Sequence, residues 1–153
     1  MGCEASGCVV LMGYRSDVVL GIAFPNNAAL VSFLTAQKLT GTREMQTVME
    51  GFGVTHMSAA YKEHVVLWVY EEQVKWYPDY PEVMAYNQII QNAKDLDYST
   101  IEIEIGEETN DIKFEVHAGE KSDSACLYDV FGIQREIVRP ESCQDISSFV
   151  KEN

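Results

Sequence analysis

Positive charge is what this sequence has least of. Eleven Lys and Arg residues stand against 24 Asp and Glu, a formal net charge of −13 over 153 residues. The eleven are scattered, so no stretch offers the basic patch that phosphate backbones or anionic lipid headgroups require, and neither direct nucleic-acid binding nor membrane attachment is expected. Long apolar runs are missing too: VVLWVY, at residues 65–70, has the length of a buried strand, far short of the ~18 residues of a membrane span. CVVLMGY, at residues 8–14, is apolar, but no Lys or Arg precedes it and no convincing cleavage site follows, so no secretory leader is expected. Cysteine is sparse, and Cys3, Cys8, Cys126 and Cys143 lack metal-ligand spacing; outside a secretory context they read as reduced thiols. The three histidines, His56, His64 and His117, form no HExxH, and there is no GxSxG elbow, no GxGxxG and no GxxxxGK[ST] loop. These absences remove the familiar routes to metal, acyl-transfer and nucleotide-phosphate chemistry, and no cofactor is implied.

What is present is an ordinary globular composition, 46% hydrophobic and 23% charged, in a chain long enough for one buried core. Strand and helix patterns alternate along it. YRSDVVLGIAF (residues 14–24) is β-branched and apolar, and PNN ends it. Asn26 and Asn27 can cap a helix through AALVSFLTAQKL, with Leu30, Phe33 and Leu34 on one side and Gly41 closing it. Thr42 can cap a second helix, whose Met45, Val48, Met49 and Phe52 form one stripe, a core face rather than a Met-lined groove. EHVVLWVYEEQVKW (63–76) reads as a central strand buried on both faces. Pro78 and Pro81 end it, and Asp79 and Pro81 introduce a third helix with Val83, Tyr86, Ile90 and Ala93 on one stripe. In STIEIEIGEETNDIKFEVHAG (99–119), Ile101, Ile103 and Ile105 alternate with glutamates, and Ile112, Phe114 and Val116 with Lys113, Glu115 and His117. That is an antiparallel hairpin, apolar inside and charged outside. EKSDSA reads as a loop, FGIQREIVRP (131–140) as a last strand, and ESCQDISSFVKEN (141–153) as a short helix or a fraying tail.

The order β-α-α-β-α-β-β-β specifies an α+β fold, a single mixed, mostly antiparallel sheet with helices packed on one face. Residues 12–140 make one domain and 141–153 a tail. MGCEAS matches a myristoylation pattern through Gly2 and Ser6, with Cys3 as a palmitate acceptor, but lacks the flanking basic residues that strengthen such anchors. Residues 1–11 are therefore read as a flexible extension, with the functional start at MGYRSDV.

Two stretches carry candidate chemistry. GEETND places Glu107, Glu108 and Asp111 in a turn with the oxygen ligands a hard cation prefers. The regular spacing and closing Glu of a calcium loop are missing, so these are weak metal candidates and a solvated turn is favoured. EEQVKWYPDYPEV concentrates Trp76, Tyr77 and Tyr80 with Asp79 beyond the central strand. Such aromatics can stack a base, anchor a partner protein, or cover the sheet and staple the third helix.

Four segments in this order, MGYRSDV, VKWYPDYPEV, IGEETNDI and GIQREIV, resemble a group of small tailed-bacteriophage proteins. That group begins M-G-Y-R-S-[DE]-V and carries K-W-Y-x-x-Y-P-x-V and I-G-E-x-x-x-D-I segments. The resemblance spans most of residues 12–139, and this chain departs from it in having eleven residues before the usual initiating Met. It implies a phage accessory protein in the cytoplasm of a bacterial host, and it carries no catalytic residue. The expected function is then non-catalytic binding of a host protein, for host takeover or anti-defence, through Tyr14, Arg15, Asp17, Trp76, Tyr77, Asp79, Tyr80 and Arg135. Sequestering a small nucleotide signal is the alternative, with the aromatics stacking the base and Arg15 or Arg135 holding phosphate. An acidic mimic of DNA is a third reading, a hydrolase ranks last, and a role in the virion stays open. Exposed Trp76 and Tyr80 would also suit a homodimer.

Overall fold

In the computed structural model, which describes residues 14–108, 110–134 and 136–153, the chain runs through eight strands and five helices. The expectations for residues 1–11, MGCEAS, Cys3, Cys8 and Arg135 lie outside the described residues. Strands β1 (Ser16–Phe24), β2 (Gly53–His56), β3 (Val65–Val74), β4 (Thr100–Gly106), β5 (Ile112–His117) and β8 (Gln144–Asp145) form one sheet in the order β5-β4-β1-β3-β2-β8, antiparallel throughout. Strands β6 (Gly132–Ile133) and β7 (Ile137–Val138) make a separate small hairpin. The fold is α+β, with helices packed on an antiparallel sheet.

The alternation within β1 and β3 explains the layering, because both strands are apolar on both faces. Val18, Leu20, Ile22 and Phe24 of β1, with Val65, Leu67 and Val69 of β3, face one core. Four helices cover that face: α1 (Asn27–Thr40), α2 (Arg43–Met49), α3 (Pro81–Asp95) and α5 (Ile146–Glu152). Val19, Ala23, Val66 and Trp68 point the other way, join Ile101 and Ile103 of β4, and are covered by Cys126, Leu127, Phe131 and Ile137. Those residues come from α4 (Ala125–Val130) and the β6–β7 hairpin, so the second face has its own smaller lid.

Local signals set the helix ends. Asn26 accepts from the Ala29 N–H at 2.8 Å and Thr42 from the Met45 N–H at 3.2 Å, each satisfying a donor the first turn leaves open. Pro81 occupies the first turn of α3, but the capping position is Tyr80, which makes no side-chain cap. Gly41 ends α1 in extended rather than left-handed backbone; what requires glycine is the Gln37 carbonyl, which a Cβ would strike.

Several local expectations are corrected. GVTH, passed over after the second helix, is β2, because Val54 and Phe52 are needed in the first core. The 131–140 segment is the two-residue β6–β7 hairpin rather than one strand, and α4 precedes it. The β4–β5 hairpin is not charged outside along its length. Glu102 is 7% exposed, because its face of β4 lies beside α3, where Lys94 Nζ sits 2.9 Å away, with Lys113 Nζ at 3.4 Å. A carboxylate that far from water needs such partners. Of the two alternatives for the tail the helix holds: β8 extends the sheet edge and α5 sinks Phe149 fully into the first core.

Candidate functional site

Residues 14–18, 74–83 and 105–112 meet at one end of the sheet. The registers dictate this: Ser16 pairs with Val74 on one side and with Gly106 on the other, so the start of β1, the end of β3 and the β4–β5 turn are neighbours. The Tyr14 N–H donates to the Tyr77 hydroxyl, and the Tyr14 hydroxyl donates to Asp111 and accepts from the Glu108 N–H at 3.0 Å. The Arg15 N–H donates to Glu107 Oε2 at 2.9 Å. Gly106 lies beneath this knot, and a Cβ there would run into the Tyr14 hydroxyl and the Asp111 carboxylate. Donating to Asp111 raises the pKa of the Tyr14 phenol, so it keeps its proton.

Beside the knot, β3 bulges. Ser16 pairs with Val74 but Val18 with Glu71, so Asp17 opposes two residues, Glu72 and Gln73. Gln73 takes φ 54°, a left-handed conformation uncommon for a residue with a Cβ. Two motif side chains hold it there. Asp17 Oδ1 accepts from the Gln73 N–H at 2.9 Å and from its side-chain amide at 3.3 Å, and Arg15 Nη1 donates to the Gln73 carbonyl at 3.0 Å. The bulge re-aims the strand end, and Lys75 and Trp76 follow it over α3.

Between this strand end, α2 and the first turns of α3 lies a cleft of about 470 Å³. Trp76, Tyr80, Tyr86 and Val83 supply its apolar lining, and Arg15, Lys75, Glu71 and Glu82 its charges. Trp76 rests on Tyr86 with ring centroids 5.3 Å apart, and Tyr77 meets Tyr80 edge-on at 5.2 Å. Tyr86 is buried, and burial, reinforced by Glu71, pushes its phenol pKa well up; its hydroxyl donates to Glu71 at 3.4 Å. The cleft is open to solvent rather than enclosed, so it can take a side chain or short segment of a partner.

The sequence expectations divide accordingly. Tyr14, Arg15, Asp17, Tyr77, Trp76 and Tyr80 are brought together, with Asp79 exposed on the connecting turn. Tyr14, Asp17 and Tyr77 act as ties within the protein rather than as surface. Trp76 is half-buried against Tyr86 of α3 and Tyr80 against Tyr77, which removes the exposure that suggested a homodimer through them. Glu107 and Asp111 are engaged by Arg15 and Tyr14, and among the described residues no three His, Cys, Asp or Glu side chains gather to hold a metal ion. Among the described residues no helix is long and apolar enough to cross a membrane. Sequence reasoning missed Gln73 and took Tyr86 only as core; a lone polar residue opposite an aspartate in a paired strand was the available signal for the first. Set against known protein families, curated proteins and solved structures, the chain matches none.

Proposed function

We propose that this chain is a bacteriophage accessory protein that acts without catalysis, by binding a protein of the infected bacterium in its cytoplasm, as host takeover or anti-defence. The observation that carries the reading is the convergence of the phage-like segments on one knot, which frames an aromatic cleft lined by two carboxylates and two cations in a strongly acidic chain. Glu71 and Glu82 line that cleft against Arg15 and Lys75, and Asp79 is exposed on the turn leading into α3. The cleft's own charges balance, so it is the net charge of −13 over the whole chain that favours a basic protein surface and penalises an anionic nucleotide. Tyr80 and the open edge of Trp76 supply the aromatic anchor that such interfaces use.

The test is affinity capture from host lysate with full-length protein tagged at either end, beside a variant carrying Asp79→Lys and Glu82→Lys. Both residues are exposed and neither contributes to the knot, so the variant should fold, which its circular dichroism and melting temperature check. A specific partner bound by the parent and lost by the variant supports the reading, as does capture that weakens steeply with salt. A partner retained equally by both overturns it. A nucleotide that raises the melting temperature overturns it in favour of the ligand-sequestering alternative.

A further inference from the structure

Strand β5 ends the sheet, and among the described residues it pairs with β4 alone. Its apolar side is unusually open: Ile112 is 50% exposed and Phe114 38%, and Phe114 stacks on Tyr128, itself 59% exposed, at 6.2 Å. Natural edge strands with that much apolar surface and unpaired backbone invite another strand. The backbone says which atoms are offered. In an antiparallel ladder, bonded and non-bonded residue pairs alternate. The Gly106 N–H donates to the Asp111 carbonyl at 2.8 Å, which puts Lys113 and Glu115 among the residues bonded to β4. Ile112, Phe114 and Val116 therefore turn their N–H and C=O groups outward.

We propose that β5 pairs with β5 of a second copy of this chain, antiparallel, about a two-fold axis through Phe114. The segment IKFEV is self-complementary under that operation. Phe114 meets Phe114, Ile112 meets Val116, and Lys113 meets Glu115, each of the last two twice. Every outward N–H and C=O of the three residues finds a partner. Moving the two-fold axis by one residue in either direction sets Lys113 against Lys113 or Glu115 against Glu115. The charges therefore select the centred pairing. Two six-stranded sheets would join into one continuous sheet, with both Tyr128–Phe114 stacks on the same side. This surface lies across β1 and β4 from the cleft and is independent of the function proposed above.

The discriminating variant is Glu115→Lys. Within one chain it is benign, since Glu115 pairs across the ladder with Glu102 and the change removes a like-charge contact. It also lowers the net negative charge, which would strengthen any nonspecific association. In the proposed dimer it sets Lys113 of each copy against the lysine introduced in the other, so two attractive pairs become two repulsive ones. Sedimentation equilibrium of the full chain, from low micromolar to submillimolar, should show reversible dimers for the parent. Glu115→Lys should weaken them about tenfold with no loss of melting temperature. The register has its own test, in a background with Cys3, Cys8 and Cys143 changed to Ser. A short bis-maleimide linker, which adds to one thiol at each end, should join Phe114→Cys to itself, and join Ile112→Cys to Val116→Cys only when the two variants are mixed. A parent monomeric across the whole range, a dimer indifferent to Glu115→Lys, or homotypic linking of Ile112→Cys as efficient as that of Phe114→Cys would each overturn the proposal.

Discussion

Replacing Asp17 by Ala removes the acceptor that holds the β3 bulge. Asp17 Oδ1 receives the Gln73 N–H at 2.9 Å and the longer side-chain amide bond at 3.3 Å. A hydrogen bond to a charged group contributes about 1.5–3 kcal/mol, and Gln73 is exposed, so water can replace part of the loss and the lower end, about 1.5 kcal/mol, is expected. Without that acceptor Gln73 must still bear φ 54°, a conformation that costs a residue with a Cβ roughly 1–2 kcal/mol. At roughly 2–4 °C per kcal/mol for a chain of this size, the melting temperature should fall by about 3–6 °C. Asp17→Asn keeps a carbonyl acceptor in the same place and should cost less than half as much. Adding Gln73→Gly to Asp17→Ala should recover about 1 kcal/mol, because glycine enters the left-handed region freely. Thermal and urea unfolding followed by circular dichroism measure all three. Asp17→Asn as damaging as Asp17→Ala, or no recovery with Gln73→Gly, would refute the view that this carboxylate exists to hold the bulge.

Phe149 is fully buried in the first core, so Phe149→Ala should destabilise by about 3–5 kcal/mol in urea unfolding; a change below about 1 kcal/mol, by the same reasoning on core truncations, would make α5 an appendage. Burial, with Asp123 nearby, pushes the Cys126 thiol up to about 12, whereas Cys143 is exposed. Peptide-resolved alkylation near neutral pH should mark Cys143 quickly and Cys126 only in denaturant, and equal labelling would contradict the packing of α4. Burial raises the Glu104 carboxyl above its ordinary value, more than Lys113 lowers it. The folded state then holds that proton more tightly than the unfolded one, so stability contributed by protonated Glu104 is present at low pH and lost as pH rises through the folded value. Glu104→Gln should therefore raise the melting temperature near neutral pH, with the gain shrinking toward pH ~4, and a gain that grows on acidification would reverse the sign.

The sheet and its helices were legible because period-two and helical stripes are imposed by burial: Val65 to Tyr70 announce a strand packed on both faces, and Met45, Val48, Met49 and Phe52 a helix stripe. Short elements escaped. β2 and β8 are four and two residues long, too brief to show a period; β2 exists because β3 offers an edge to pair with, and β8 because β2 then does. Glu102 reads as a solvated strand residue, and only the packing of α3 supplies the lysine that lets it be buried. At the site, the aromatic cluster of 76–80 stood out by composition. Its framing did not, since the Asp17–Gln73 bulge and the Tyr14–Asp111 tie join residues 56 and 97 positions apart. The self-complementarity of IKFEV is a property of the sequence, but it has no consequence unless β5 is an edge.

Hydrogen exchange of the full chain, free and bound to the captured host protein, tests the central claim most directly. New protection is expected over residues 71–83 and the adjoining 14–17, with the β5 segment 112–117 unchanged by the partner. Protection confined to any other face, with residues 71–83 exchanging as in the free protein, would contradict it.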